Sequence, residues 1–324
     1  MTNDVAKMLT VFEGLDPFCG YVPKGFLVDF LGVLTDAKFR AVWGVDPARE
    51  GGTEVATTLP GLDGGEGFFE AFSWCAAARD ARDQYTMITL GACYGLQAVA
   101  AYRALQRLNP MPAKLVAVEG DPENYAWLRQ HFRDNGIDPD RHWLINCAMS
   151  DSNEPVLYPV GAPGSGINNC FSTNHRESRR IYAEQLAQRP DIKDVVRNLI
   201  RSGCTGIEIK PFPNLAFSAD VKFVSAMTLA DVLGPFERVD LLESDIQMSE
   251  AVVFPPAMDL IRARVKRVHL GTHGAEVHAA LLQQFLELGF AIDCNYEPNT
   301  HHDTPWGSFD VNDGIIIARN PTFC

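Results

Sequence analysis

Asp245, His269 and His273 are residue types that could move a proton if a fold brought them together. Asp245 closes the apolar stretch Val239-Asp-Leu-Leu-Glu-Ser-Asp245, His269 lies near the end of the next one, and His273 follows in a turn. Histidine titrates near neutrality, which suits a general base for a hydroxyl. An acid at the carboxyl end of a strand can orient an acceptor, take its proton or bind a divalent cation. Gly271 separates the two histidines, so they do not share a helical face as a zinc-binding H-x-x-x-H pair would. Asp245, His269 and His273 offer mixed ligands to Mg²⁺ or Mn²⁺, but nothing in their spacing demands a metal, and the metal-free reading is favoured. Glu250 opens the following helix, where the dipole favours any acid. His301-His302-Asp303 sits in a polar loop and reads as solvated.

A second constellation is Leu90-Gly-Ala-Cys-Tyr-Gly95, followed by an apolar helical stretch and then Leu115-Val-Ala-Val-Glu119. The pattern predicts strand, glycine turn, helix and strand, the first half of a nucleoside-binding sheet. Gly91 is expected to let backbone approach a ligand closely, and Gly95 to open the helix where a side chain would crowd it. Glu119 ends the second strand, where a carboxylate can grip the two hydroxyls of a ribose. A dinucleotide requires G-x-G-x-x-G so that its pyrophosphate meets bare backbone. The middle glycine is missing here. S-adenosylmethionine (SAM) carries no phosphate and fits the turn better; a nicotinamide cofactor is the alternative.

These residues need a scaffold, and the chain is long enough for one large core or two modest ones: 324 residues, 46% of them hydrophobic. Its 41 acidic and 28 basic residues leave a net charge of −13, which repels nucleic acid and anionic membranes. No apolar run is long enough to span a bilayer, and the start lacks the features of a secretory signal. Eight scattered cysteines without a C-x-x-C pair imply reduced thiols in a cytoplasm.

Taken in order, residues 1–85 precede the sheet and are expected to pack on the cofactor and acceptor cleft. Within them, Gly25–Leu34 reads as a strand or a buried helix, and Glu66–Asp83 has helical spacing. Three β-α units follow, with strands at Thr86–Leu90, Leu115–Glu119 and Trp143–Cys147. Asp121 is predicted as an N-cap, with Pro122 at the first helical position. Residues 152–220 interrupt the alternation and read as a lid or acceptor platform, with a flexible loop at Gly161–Gly166 and a helix at Asp191–Arg201. Strands four and five are Val239–Asp245 and Arg264–Leu270. After a helix at Glu276–Leu288, Phe290–Tyr296 and Gly314–Ala318 form two strands with no helix between them, which predicts an antiparallel hairpin at the sheet's edge. The expected fold is therefore α/β: a doubly wound, mostly parallel, Rossmann-like seven-stranded sheet with an N-terminal extension and a helical insertion, the class I methyltransferase plan. Residues 86–324 form the catalytic domain.

On Leu90–Gly95, Ala117-Val-Glu-Gly-Asp-Pro-Glu-Asn124, Asn146–Asp151, Val239–Glu250, Val268–His273 and Asp313-Gly-Ile-Ile-Ile317, the chain resembles the FkbM-type family of SAM-dependent O-methyltransferases. The resemblance implies methyl transfer to a hydroxyl of a small molecule, often a sugar or a secondary metabolite. It implies a cofactor shell of Gly91, Ala92, Gly95 and Glu119, with Ala148 and Asp151 beside the adenine. Asp245 with His269 or His273 would handle the acceptor. Homo-oligomerisation is compatible with this reading. Two departures stand out. Thr89 replaces an acid that usually helps hold the methionine end of SAM, and Met248-Ser249 replaces Gly-Ala. The first leaves room for a binding protein that kept the fold and lost catalysis.

Overall fold

The computed structural model describes residues 5–160, 163–164, 207–212 and 215–323. Its centre is a seven-stranded sheet of β1 (Tyr85–Leu90), β2 (Ala113–Glu119), β3 (Trp143–Asn146), β4 (Leu241–Ser244), β5 (Arg267–Thr272), β6 (Ala291–Tyr296) and β7 (Gly314–Arg319). The spatial order is β6-β7-β5-β4-β1-β2-β3. All pairs are parallel except those of β7, which runs antiparallel to both β5 and β6. The reversed final pair is the expected one, but β7 is wedged inside the sheet and β6 takes the edge. Between them lies a separate hairpin of Thr300–Thr304 and Gly307–Val311, where the sequence suggested a plain loop.

Helices cover both faces, which is why β1 is buried at all six positions. Tyr85, Met87 and Leu115 pack under α1 (Glu66–Asp80), α2 (Leu96–Leu108) and α3 (Pro122–Asp134). Ile88, Leu90 and Leu242 face Ile261 of α4 (Met258–Arg264) and Leu281 and Phe285 of α5 (Ala275–Glu287). The alternation of the strands thus feeds two separate cores. Asp121 caps α3 as its type predicts, accepting from the backbone N–H of Glu123 at 2.7 Å and of Asn124 at 3.1 Å.

The section before β1 belongs to the first of these cores, through Phe68, Phe69 and Trp74 of α1. Gly25–Leu34 contributes to a short hairpin, Phe26–Val28 with Leu34–Asp36. Phe39 then stacks on Tyr94 and on Trp127, at 5.3 and 4.8 Å between ring centroids. Beside it, fully buried His131 faces the carbonyl of Tyr94 through Nδ1 at 3.0 Å and the hydroxyl of Thr35 through Nε2 at 3.3 Å. A neutral imidazole satisfies both partners by donating to the carbonyl and accepting from the hydroxyl. Burial favours this form and pushes the pKa down to about 4. Below pH 6.5 the unfolded chain takes up a proton that the folded one refuses, so stability falls as pH drops from 6.5 towards 4. In urea titrations, wild type is expected to lose about 1.5 kcal/mol more than His131→Gln between pH 6.5 and 5. Parallel losses in both proteins would show that this imidazole is not the neutral group described.

The described margins of the 152–220 insertion are strands rather than helix. Val156–Val160, Ile207–Phe212 and Leu215–Val224 form an antiparallel three-stranded sheet. Most of the predicted loop at 161–166 and all of the helix at 191–201 lie outside the described residues. No described helix is long and apolar enough to cross a membrane.

Candidate active site

A cleft opens where β1, β2 and β4 end. Gly91 and Cys93 line it from the first turn, Glu119 and Gly120 from the second, Ala148, Met149 and Tyr158 from one side, and Asp245, Ile246 and Gln247 from the other. Of the expected cofactor shell, Gly91, Glu119 and Ala148 lie on this lining. Ala92 is fully buried beneath it, Gly95 serves as the N-cap of α2, and Asp151 sits in a bend off the lining.

The glycines hold this geometry. Gly91 has φ +75°, and a Cβ there would lie 2.0 Å from the carbonyl oxygen of Asp245. Gly91 thus lets β1 approach the residue that follows β4 closely, while it also lines the cleft. Gly95 has φ +86°, and a Cβ would meet Leu128 at 2.3 Å, the crowding its position suggested.

Glu119 is 3% exposed. Its Oε2 accepts from the backbone N–H of Cys93 and its Oε1 from that of Asp121, each at 2.7 Å. The side chain of Asn124 also hydrogen-bonds this carboxyl, whose two oxygens offer about four acceptor positions in all. Burial raises its pKa to about 8, although both backbone donors pull the other way. Several of the turn's backbone donors are engaged within the protein. The N–H groups of Gly91 and Ala92 both go to the carbonyl of Val118, and that of Gly95 to Ala92. No lysine or arginine is among the described lining residues, whereas Glu119 and Asp245 are.

The proton-handling residues divide. His273, just past β5, points Nδ1 at Oε1 of Glu250 at 3.0 Å, and Nε2 lies 3.4 Å from both Asp245 and Asp313. Burial alone would favour neutral imidazole, but Glu250, Asp313 and Asp245 outweigh it and hold its pKa well above 6.5. Desolvation raises Asp245 to about 7; His273 opposes this, and Asp313 and Glu250 add to it. Its side chain is still 42% open, so solvent screens it more than fully buried Glu250.

His269 does not join them, which corrects the expectation that it ends its strand at the cleft. β5 continues to Thr272, and His269 lies in register between Glu243 and Ile317. Its Nδ1 meets the hydroxyl of Ser73 on α1 at 2.8 Å, and burial drives its pKa down to about 4. On the same row of the sheet, Thr89 donates its hydroxyl to Glu243, which is 2% exposed. The acid missing from β1 is thus matched by one on the neighbouring strand. His302 is not merely solvated: it stacks on Phe309 and packs against Tyr296, while exposed His301 faces Asp310.

Asp313, Glu243 and Tyr158 escaped the sequence reading of the site: Asp313 and Tyr158 reach it from distant parts of the chain, and Glu243 was passed over beside Asp245. The signal for Glu243 was alternation, which places it on the face of Thr89 and His269. For Asp313 and Tyr158 there was none.

A strand order of 3-2-1-4-5-7-6 with only the seventh strand reversed is decisive for the architecture. This is the class I methyltransferase fold. No protein-family model matches the chain. A protein of Jannaschia sp. (strain CCS1) described as "Putative methyltransferase" is 24% identical over 253 residues, 77% of this chain and 78% of that protein. Among solved structures, the METTL16 methyltransferase domain overlaps 98% of this chain and 92% of its own, with 9% identity and a TM-score of 0.40. Precorrin-6y C5,15-methyltransferase from Geobacter metallireducens GS-15 overlaps 77% and 86%, with 11% identity and a TM-score of 0.35. Overlaps this loose carry no argument about substrate.

Proposed function

We propose that the protein transfers a methyl group from SAM to a hydroxyl of a small neutral molecule, such as a sugar or secondary metabolite. One observation carries the choice of cofactor. The cleft has acids and no described lysine or arginine. A pyrophosphate would find no positive side chain there, while a sulfonium would find the carboxyl of Asp245. This weighs against the nicotinamide alternative. The relative from Jannaschia, described as a methyltransferase, supports the same reading.

Glu119 fits the ribose diol, with the apolar stretch Cys147–Met149 and the Tyr158 ring beside the base. SAM supplies an already activated methyl group. The chain's own residues must hold the acceptor oxygen on axis, about 3 Å from the methyl carbon, and remove its proton. As the new C–O bond forms and the C–S bond breaks, the sulfur keeps the electron pair and the proton passes to the Asp245–His273 group. The carboxylates around that group disfavour an anionic acceptor. The free cysteines Cys75, Cys93, Cys147 and Cys294 are consistent with a cytoplasmic setting.

Calorimetry with SAM and with NAD tests the cofactor. SAM is expected to bind and NAD to fail; the reverse result overturns the reading. With a panel of neutral polyols, release of S-adenosylhomocysteine is expected to fall about 100-fold in Asp245→Asn. SAM binding with no release across the panel would mark a binding protein instead.

A further inference from the structure

The geometry points to a divalent-cation site formed by Asp245, Glu250 and His273, with Asp313 beside it. These residues come from four separate places: the end of β4, the helical turn Glu250–Val253, the end of β5 and the approach to β7. One ligand atom from each of Asp245, Glu250 and His273 lies within 4.8 Å of the others. Glu250 and His273 approach to 3.0 Å, close to the spacing of two neighbouring ligands on one metal ion.

A converging set of acids would by itself say little. The second observation is Glu250. It is 0% exposed, and its Oε1 accepts from the N–H of Ile246 at 3.0 Å as well as facing His273. Its other oxygen, Oε2, is buried with no hydrogen-bond partner among the described residues. Leaving a carboxylate oxygen dry and unpaired is costly, and a cation removes that cost. Charge count agrees: one imidazole, even protonated, balances only one of three surrounding carboxylates.

The donor set selects the ion. Carboxylate oxygens with a single imidazole and no thiolate suit Mn²⁺ or Mg²⁺, and the imidazole favours Mn²⁺. Whichever ring nitrogen binds the ion, the other already faces a carboxylate, Glu250 at Nδ1 or Asp245 and Asp313 at Nε2. Metal-binding histidines are commonly oriented in this way. Because Asp245 also lines the cleft, the ion would stand where the acceptor oxygen must lose its proton. That consequence rests on the methyl-transfer reading; the site itself does not. An ion there would favour acceptors with two adjacent oxygens, such as a vicinal diol, and would make the hydroxyl more acidic.

The test uses the full chain without SAM. Mn²⁺ is titrated into wild type, Asp245→Asn, His273→Gln and the surface control His301→Gln, followed by electron paramagnetic resonance of free Mn²⁺, with circular dichroism to confirm folding. The expected result is one Mn²⁺ per wild-type chain, weakened more than about tenfold in Asp245→Asn and His273→Gln and unchanged in His301→Gln. Asp245 is partly open to solvent, so its variant reports even if His273→Gln fails to fold. Absence of stoichiometric binding to wild type overturns the proposal, as does equal binding by wild type and Asp245→Asn, or loss of binding in His301→Gln. SAM affinity is then measured with and without EDTA. If SAM does not bind but Mn²⁺ does, the cofactor assignment falls and the cation site stands.

Discussion

Glu119→Ala is expected to weaken SAM binding by at least about 100-fold, because two hydrogen bonds to an ionised carboxylate are lost together. The variant also leaves the backbone N–H groups of Cys93 and Asp121 without their acceptor, so the turn carrying Gly91 loses its brace. Glu119→Gln separates the two effects. An amide can keep one backbone donor satisfied but accepts from a diol only through its single oxygen. The pH profile provides a second check. Burial pushes the carboxyl up to about 8, and a ribose diol is held best by the ionised form. SAM binding should therefore release a proton, and affinity should rise as pH passes through 8 and flatten above about 9. In Glu119→Gln that rise should be absent. Calorimetry at several pH values reads both results. Unchanged affinity in Glu119→Ala would remove the basis of the cofactor assignment.

Gly91→Ala is expected to be the most damaging single methyl addition in the glycine turn. The residue has φ +75°, which costs a side chain roughly 1–2 kcal/mol. The added carbon would also lie 2.0 Å from the Asp245 carbonyl oxygen, and no side-chain rotation relieves a clash between two backbones. Either β1 or β4 must move at its tip, and with it the lining on both sides of the cleft. Loss of about 3 kcal/mol or more in urea unfolding, together with loss of SAM binding, is the expected outcome. Gly136→Ala is the control. Its φ is +70°, but nothing lies within 4 Å of the new carbon, so it should show the conformational cost alone. Equal losses in the two variants would mean that contact between the strand tips does not matter.

Much of the sheet was legible because its signals are local. Leu115–Glu119 followed by Asp121-Pro122 states a strand, a cap and a helix start within a few residues, and the structure places all three there. Glu119 was legible for the same reason: a strand-end acid after a glycine turn has few other positions to occupy. His269 was misplaced because its strand runs two residues further than the sequence suggested, and alternation then turns the ring under α1 instead of towards the cleft. Glu250 looked like an ordinary first-turn acid. What distinguishes it is burial against His273, a contact across 23 residues of chain that no local pattern encodes. The insertion misled in another way, since the amphipathic stretch at 191–201 drew attention from flanking segments that form strands.

The position of β7 has a consequence for how the chain assembles. The strand that separates β5 from β6 follows both of them in sequence, so β6 has nothing to pair with until β7 is made. Asp313 arrives with the same strand. During synthesis, the early β-α units can pack while the sheet still has an open gap beside β5. The acid-rich cluster is thus completed only once the segment carrying Asp313 is made, and a truncation before Asp313 would cost that acid, β7 and the pairing partner of β6.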